Sequence, residues 1–141
     1  MNAKGLKPLN WTPDPAIGYT VERRPDGGMT IRFTDVRPET LAHWREFALR
    51  HLLDSDRLTR NLYDLRQIDQ LPETAIQYAI EVNNDPSTRN IRLAVVVANA
   101  KVRKGVEKIA DLTVAAGVEM AIFDTIEAAE AWLERPLTLL K

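Results

Sequence analysis

Ile91-Arg92-Leu93-Ala94-Val95-Val96-Val97-Ala98 is the stretch on which the fold turns. From Leu93 to Val97 the apolar run is unbroken, without the in-out alternation of a strand that has one wet face, so it suits a strand covered on both sides by helices. It is expected to be the central strand of a mainly parallel sheet. The flanking segments have helical spacing. Upstream, Pro72 opens a pattern of Ala75, Ile76, Ala79, Ile80 and Asn83 that breaks at Asn83-Asn84-Asp85-Pro86. Downstream, Val102, Val106, Ile109 and Thr113 mark a helix ending near Gly117, a residue suited to a left-handed cap. A short strand, Val118–Phe123, follows, and then Asp124-Thr125-Ile126-Glu127 in the form of a capping box with Asp124 as the cap. Ile126, Ala129, Trp132 and Leu133 give that last helix its buried face.

Further towards the N-terminus, residues 58–65 read as a strand around Leu62 and Tyr63, followed by a loop at 67–70. Before it, Pro38 begins a helix with Leu41, Trp44, Ala48 and Leu52 on one face and Phe47 widening the stripe. Tyr19–Arg23 and Met29–Phe33 alternate on either side of Pro25-Asp26-Gly27-Gly28, an Asp-Gly hairpin signal. Residues 1–17, with Gly5, Pro8, Pro13 and Pro15 around Trp11, read as an extended arm whose tryptophan is expected to pack on something, followed by a domain formed by residues 18–141. The expected architecture is α/β: a mixed, mainly parallel sheet of five strands opened by an N-terminal hairpin and covered by four helices.

At 141 residues the chain has room for one core. Hydrophobic residues at 45% and charged residues at 28% fit a globular domain, and 19 Lys+Arg against 20 Asp+Glu leave a net charge of −1. Such a balance supplies no overall field for nucleic acid or an anionic membrane, so neither is expected as a partner, and no apolar run approaches a membrane span. With no cysteine, thiolate nucleophiles, disulfides and Cys-based zinc sites are excluded, and a reducing, cytoplasmic location is expected. The opening residues carry Lys4 and Lys7 but no apolar stretch of the signal-peptide kind.

The six glycines fall into no phosphate-cradling, dinucleotide or nucleophile-elbow pattern, so no cofactor is expected. Ser55 and Ser87 sit among polar neighbours, where serine serves as a turn former. His43 and His51 are about two turns apart on one helix and lack the third ligand of a catalytic zinc, so no metal site is expected. Asp64 and Asp69 flank the carboxyl end of the third strand, where α/β proteins gather functional groups. The plainer reading is that Asp64 satisfies loop amides and Asp69 serves the start of the next helix. Lys101, Arg103, Lys104 and Lys108 crowd the positive end of the third helix beside Asn99, against the macrodipole, and so form a candidate site for a phosphate or an acidic partner. Trp44, Phe47, Phe123 and Trp132 fall on apolar faces and read as core.

Tyr63-Asp64-Leu65-Arg66-Gln67-Ile68-Asp69 resembles the strand-to-helix junction of STAS domains, the SpoIIAA-like anti-sigma-factor-antagonist family, in its Asp-Leu-x-x-hydrophobic-Asp frame. Residues 91–97, the helix after them, and Ile122-Phe123-Asp124 through Ala128-Ala129-Glu130-Ala131-Trp132-Leu133 resemble the bacterial STAS/SEC14-like branch; the likeness covers residues 18–134. The resemblance implies a regulatory module in which a Ser or Thr at the junction is phosphorylated and the charge alters partner binding. Here the Ser-Ser-Gly acceptor is missing: Gln70, Leu71 and Pro72 follow Asp69, and Thr74 is the nearest hydroxyl.

The expected function is therefore non-enzymatic, with a protein partner or a second copy bound through Asp64, Asp69, Gln70, Leu71 and Thr74, and with Asn99, Lys101, Arg103 and Lys104 as a second binding group. The alternative is a module for a small apolar or anionic ligand, or a lipid of the SEC14-like kind, in a pocket between sheet and helices lined by Leu71, Ile76 and Ile80.

Overall fold

Every residue of strand β4 (Ile91–Val96) is buried, as an unbroken apolar strand between two helical layers requires. In the computed structural model, which describes residues 14–25, 27–53, 59–85, 91–113 and 118–135 and not the side chains of 51–53 and 59, β4 pairs in parallel with β3 (Thr59–Asp64) and β5 (Val118–Phe123). β3 pairs in parallel with β2 (Met29–Phe33), which forms an antiparallel hairpin with β1 (Tyr19–Arg23). The element order is β1, β2, α1 (Pro38–Leu53), β3, α2 (Glu73–Asn83), β4, α3 (Ala100–Leu112), β5, α4 (Ile126–Leu133), and the sheet order is β1-β2-β3-β4-β5. The fold is α/β, with a mixed five-stranded sheet, an N-terminal hairpin and four helices. β4 is interior, but β3 takes the centre, contrary to expectation, because each crossover adds its strand outside the previous one.

Right-handed crossovers stepping in one direction place their helices on one side of the sheet. α1, α2 and α3 accordingly share a face, filled by the inward residues of alternating strands: Ile31 and Phe33 of β2, Leu93 and Val95 of β4, with Trp44 and Phe47 of α1 and Val102 and Val106 of α3. The opposite registers, Leu62, Ala94 and Val96, are left to α4, which contributes Ala129 and Leu133.

At the hairpin turn Gly27 has φ of 94°, a left-handed conformation that favours glycine. Gly28 has a different constraint: a Cβ there would lie 1.6 Å from the Arg60 carbonyl oxygen of β3. Pro72 is the N-cap of α2, and Asn99 caps α3 by accepting from the Val102 amide at 2.8 Å. The cap of α4 is Thr125, whose hydroxyl accepts from the Ala128 amide at 3.1 Å, so the expected cap at Asp124 is displaced by one residue. Residues 1–13 of the expected arm, with Trp11, lie outside the described residues, as do the cap at Gly117, Ser55 and Ser87; the last residues of that segment, Asp14–Ile17, form a turn closed by the Ile17 amide donating to the Asp14 carbonyl at 3.0 Å, where an extended chain was expected.

Candidate functional site

The strands β2 to β5 are parallel, so their carboxyl ends and the N-termini of all four helices meet at one edge of the sheet. Asp64 closes β3 there and is 5% exposed. Its Oδ1 accepts from the Arg66 amide at 3.1 Å and from Arg66 Nε at 2.9 Å, while Oδ2 accepts from Arg66 at 2.9 Å and faces Arg32 at 3.5 Å. Burial favours the neutral acid, but the hydrogen bonds and charges of Arg66 and the charge of Arg32 outweigh it, so the carboxyl is held below its ordinary range. A carboxylate ionised in this way and enclosed by two guanidinium groups is a poor proton acceptor. Asp69 is exposed four residues beyond the buried Leu65, and no hydrogen bond or ion pair joins it to Asp64. The two acids flank the loop without forming a pair.

Gln70 and Thr74 are exposed, and Leu71 is partly buried against α3, where Gly105 admits it: a Cβ on Gly105 would approach the Leu71 side chain to 3.1 Å. Asn99 is occupied at both ends, since its Nδ2 also donates to the Ile68 carbonyl at 3.3 Å and ties the loop to the start of α3. The basic cluster divides. Arg103 is paired with Asp124, Lys108 lies 3.4 Å from Glu73, and Lys101 and Lys104 remain exposed. The group at Asn99, Lys101, Arg103 and Lys104 is thus a helix start whose cap and one cation serve the fold. His43 accepts or donates at Nδ1 with the Tyr19 hydroxyl, 2.6 Å away, which fastens α1 to the hairpin. Among the described residues no cluster of three or more His, Cys, Asp or Glu side chains has the arrangement of a metal site. No helix among them is long and apolar enough to cross a membrane.

Behind the loop, between the sheet and α1–α3, lies a cavity of about 90 Å³. Leu65 and Leu71 bound it at the loop, Trp44 and Ala79 on the helices, and Asn61 and Tyr63 on β3. Leu71 is a wall residue as expected; on α2 the wall is formed by Ala75, Ala79, Val82 and Asn83 instead of Ile76 and Ile80. The volume is well under the roughly 300 Å³ at which pockets for drug-sized molecules begin. Trp44, expected only as core, also lines the cavity and donates from Nε1 to the Tyr63 hydroxyl at 3.2 Å. Reasoning from sequence missed Asn61, and it named Asn83 only as part of the helical spacing of α2. The available signal was a polar residue at an inward position of each element: Asn61 shares its strand face with Tyr63 and Leu65, and Asn83 continues the apolar spacing of α2.

Fold and edge together define a class of α/β module with a polar loop displayed at the strand ends and a small cavity beneath it. Compared with protein-family models, curated proteins and solved structures, the chain matches none of them.

Proposed function

We propose that this protein is a non-enzymatic, cytoplasmic regulatory module of the STAS-like kind, which binds a protein partner or a second copy of itself through the 64–74 loop and the first turn of α2. The observation that carries this reading is the division of labour at the strand ends. Asp64 is neutralised by Arg66 and Arg32, and Asn99 is consumed as a cap and a loop tether. Gln67, Asp69, Gln70 and Thr74 are exposed on the loop so held. A held loop with free polar side chains loses little conformational entropy on docking, which favours recognition. The order of elements and the Asp-Leu-x-x-Ile-Asp frame at residues 64–69 support the STAS-like assignment, and the absence of cysteine supports a reducing compartment. Thr74 stands at the exposed start of α2 without the Ser-Ser-Gly context, so partner choice is assigned to the loop surface and not to a phosphate switch.

The test is photo-crosslinking in the protein's own host from a probe at Gln70, with a second probe at the exposed Ala131 of α4 as control. A discrete adduct, heteromeric or dimeric, is expected from position 70 and is expected to disappear in Asp69→Arg, a surface change that leaves stability within about 0.5 kcal/mol. Equal adducts from both positions, or an adduct indifferent to Asp69→Arg, would overturn the reading.

A further inference from the structure

Asn61 is 1% exposed and Asn83 6% exposed, and both line the cavity behind the loop. Asn61 Oδ1 accepts from the Met29 amide at 3.0 Å, which fixes the side-chain orientation and leaves the Nδ2 donor without a protein partner among the described residues. Asn83 Nδ2 donates to Thr113 Oγ1 at 3.1 Å, while that hydroxyl donates to the Ile109 carbonyl at 2.7 Å, so the Asn83 Oδ1 acceptor is likewise left over. The Tyr63 hydroxyl accepts from Trp44 and retains its own proton to donate. Desolvation pushes the Tyr63 phenol up to about 12, against the weaker opposite effect of the Trp44 hydrogen bond, so the proton stays in place at neutral pH.

Two donors and one acceptor thus belong to residues that line a small, mainly apolar cavity whose lining includes no Lys, Arg, Asp or Glu. Buried polar atoms without partners cost about 1–3 kcal/mol each and are paired in nearly all native structures, by water where the protein supplies nothing. The cavity has the volume of about three waters at ~30 Å³ each, or of an organic molecule of five or six heavy atoms. The polar atoms lie towards one end: Asn61 is in the layer of Met29, Leu93 and Met120 on the adjoining strands, and Asn83 ends α2, whereas Leu65 and Leu71 bound the loop end.

The geometry points to a binding site for a small neutral molecule, hydrocarbon over most of its surface, with one terminal group that both accepts and donates a hydrogen bond, as an alcohol or a lactam does. The acceptor of that group takes the Asn61 Nδ2 proton, its own proton goes to Asn83 Oδ1, and the hydrocarbon portion extends along Tyr63 and Val95 towards Leu71. A charged molecule is excluded by the cost of burial without a countercharge. Leu71 belongs both to the cavity and to the 64–74 loop, so occupancy is positioned to stiffen the surface the loop displays.

A matched set of five-membered rings tests the site on the full chain: cyclopentanol, cyclopentanone and cyclopentane, followed by NMR of the Trp44 indole and the Leu71 methyl groups. Saturable binding of cyclopentanol is expected, at least about tenfold tighter than cyclopentane, the difference one or two net hydrogen bonds supply. Cyclopentanone, which only accepts, falls between them. Asn61→Leu and Asn83→Leu each reduce the advantage of cyclopentanol over cyclopentane to within about threefold while cyclopentane still binds. Because Asn61 also holds the Met29 amide, Asn83→Leu provides the second arm if Asn61→Leu fails to fold. Ala79→Leu, which fills the cavity, abolishes binding of all three. No saturable shift, which leaves only water in the cavity, or equal binding of cyclopentanol and cyclopentane, or cyclopentanol binding indifferent to both asparagine changes, would overturn the proposal. None of these readouts depends on the 69–70 surface, so this site and the partner surface fail or stand separately.

Discussion

The two faces of the sheet are closed by different physics. Towards α1–α3 the strands present Ile31, Phe33, Leu93 and Val95, and three helices of 16, 11 and 13 residues cover them, leaving a cavity at the centre. Towards α4 only eight helical residues are available, and arginines complete the cover. Arg24 pairs with Glu130 at 2.6 and 3.0 Å, and Arg60 donates to the Leu133 carbonyl at 2.6 Å. Arg92, 1% exposed, donates to its cross-strand neighbour Glu119 at 2.9 Å and to the Arg135 carbonyl at 3.0 Å, with its guanidinium 5.5 Å from the Trp132 ring centre. Arg135 lies 5.2 Å from the same ring, so the indole is flanked by two cations. Cations gathered on the last carbonyls of a helix complement its dipole, which is how a two-turn helix that is marginal alone is held to a sheet. The lesson is topological: a sheet built by successive crossovers in one direction crowds one face and leaves the other thinly covered, and long side chains whose stems pack while their heads bond are the remedy.

The largest expected effect on that contrast comes from Arg92→Ala, which removes a buried stem, a cation over Trp132 and the bonds to Glu119 and the Arg135 carbonyl. A loss of about 3 kcal/mol is expected, at the lower end for breaking a buried pair because Glu119 is near enough to the surface to be rehydrated. Denaturant unfolding measures it, and a loss under about 1 kcal/mol would mean that α4 is held mainly by Ala129 and Leu133. A matched pair of smaller changes then asks where the molecule has room. Ala94 is 0% exposed beneath α4 and does not line the central cavity, so Ala94→Val should cost about 1–2 kcal/mol despite the better strand propensity of valine. Ala79→Val on the opposite face grows into the cavity and should be neutral or stabilising by up to about 1 kcal/mol, although valine is the poorer helix former. Opposite signs support the contrast; equal costs would place the empty volume elsewhere.

Much of this was legible in the sequence because alternation and helical spacing are local signals. Val118–Phe123 is observed with the expected ends, and the face of α3 is Val102, Val106 and Ile109 as its spacing indicates, with Gly105 added. The displaced cap at Thr125 reflects two adjacent residues of nearly equal capping power, between which backbone geometry decides. Strand order is a long-range property, so an apolar run marks an interior strand without saying whether it is the third or the fourth. The arginine bonds to α4 were out of reach for the same reason, since Arg24 and Glu130 are 106 residues apart. At the candidate site, Asp64 and Asn99 were singled out by type and position, but whether an aspartate is available for chemistry depends on Arg32, which reaches it from the neighbouring strand.

Asp64 sits where the thin face meets the carboxyl edge, and it gives the smallest and most pH-dependent contrast. Arg66 and Arg32 hold its folded pKa below the ordinary value of 3.8, so the unfolded chain binds the proton more readily. Its contribution is therefore fully present above about pH 5, and it is lost as the pH falls through the folded pKa. Asp64→Asn, with no charge to lose, is expected to cost on the order of 1 kcal/mol at pH 7 and to converge on the native protein's stability as the pH falls through the folded pKa of Asp64. Chemical denaturation at stepped pH values checks this. A constant gap between the two proteins across that range would mean that Asp64 acts through shape and hydrogen bonds that the amide also fails to make, and that its two arginines hold the loop without help from its charge.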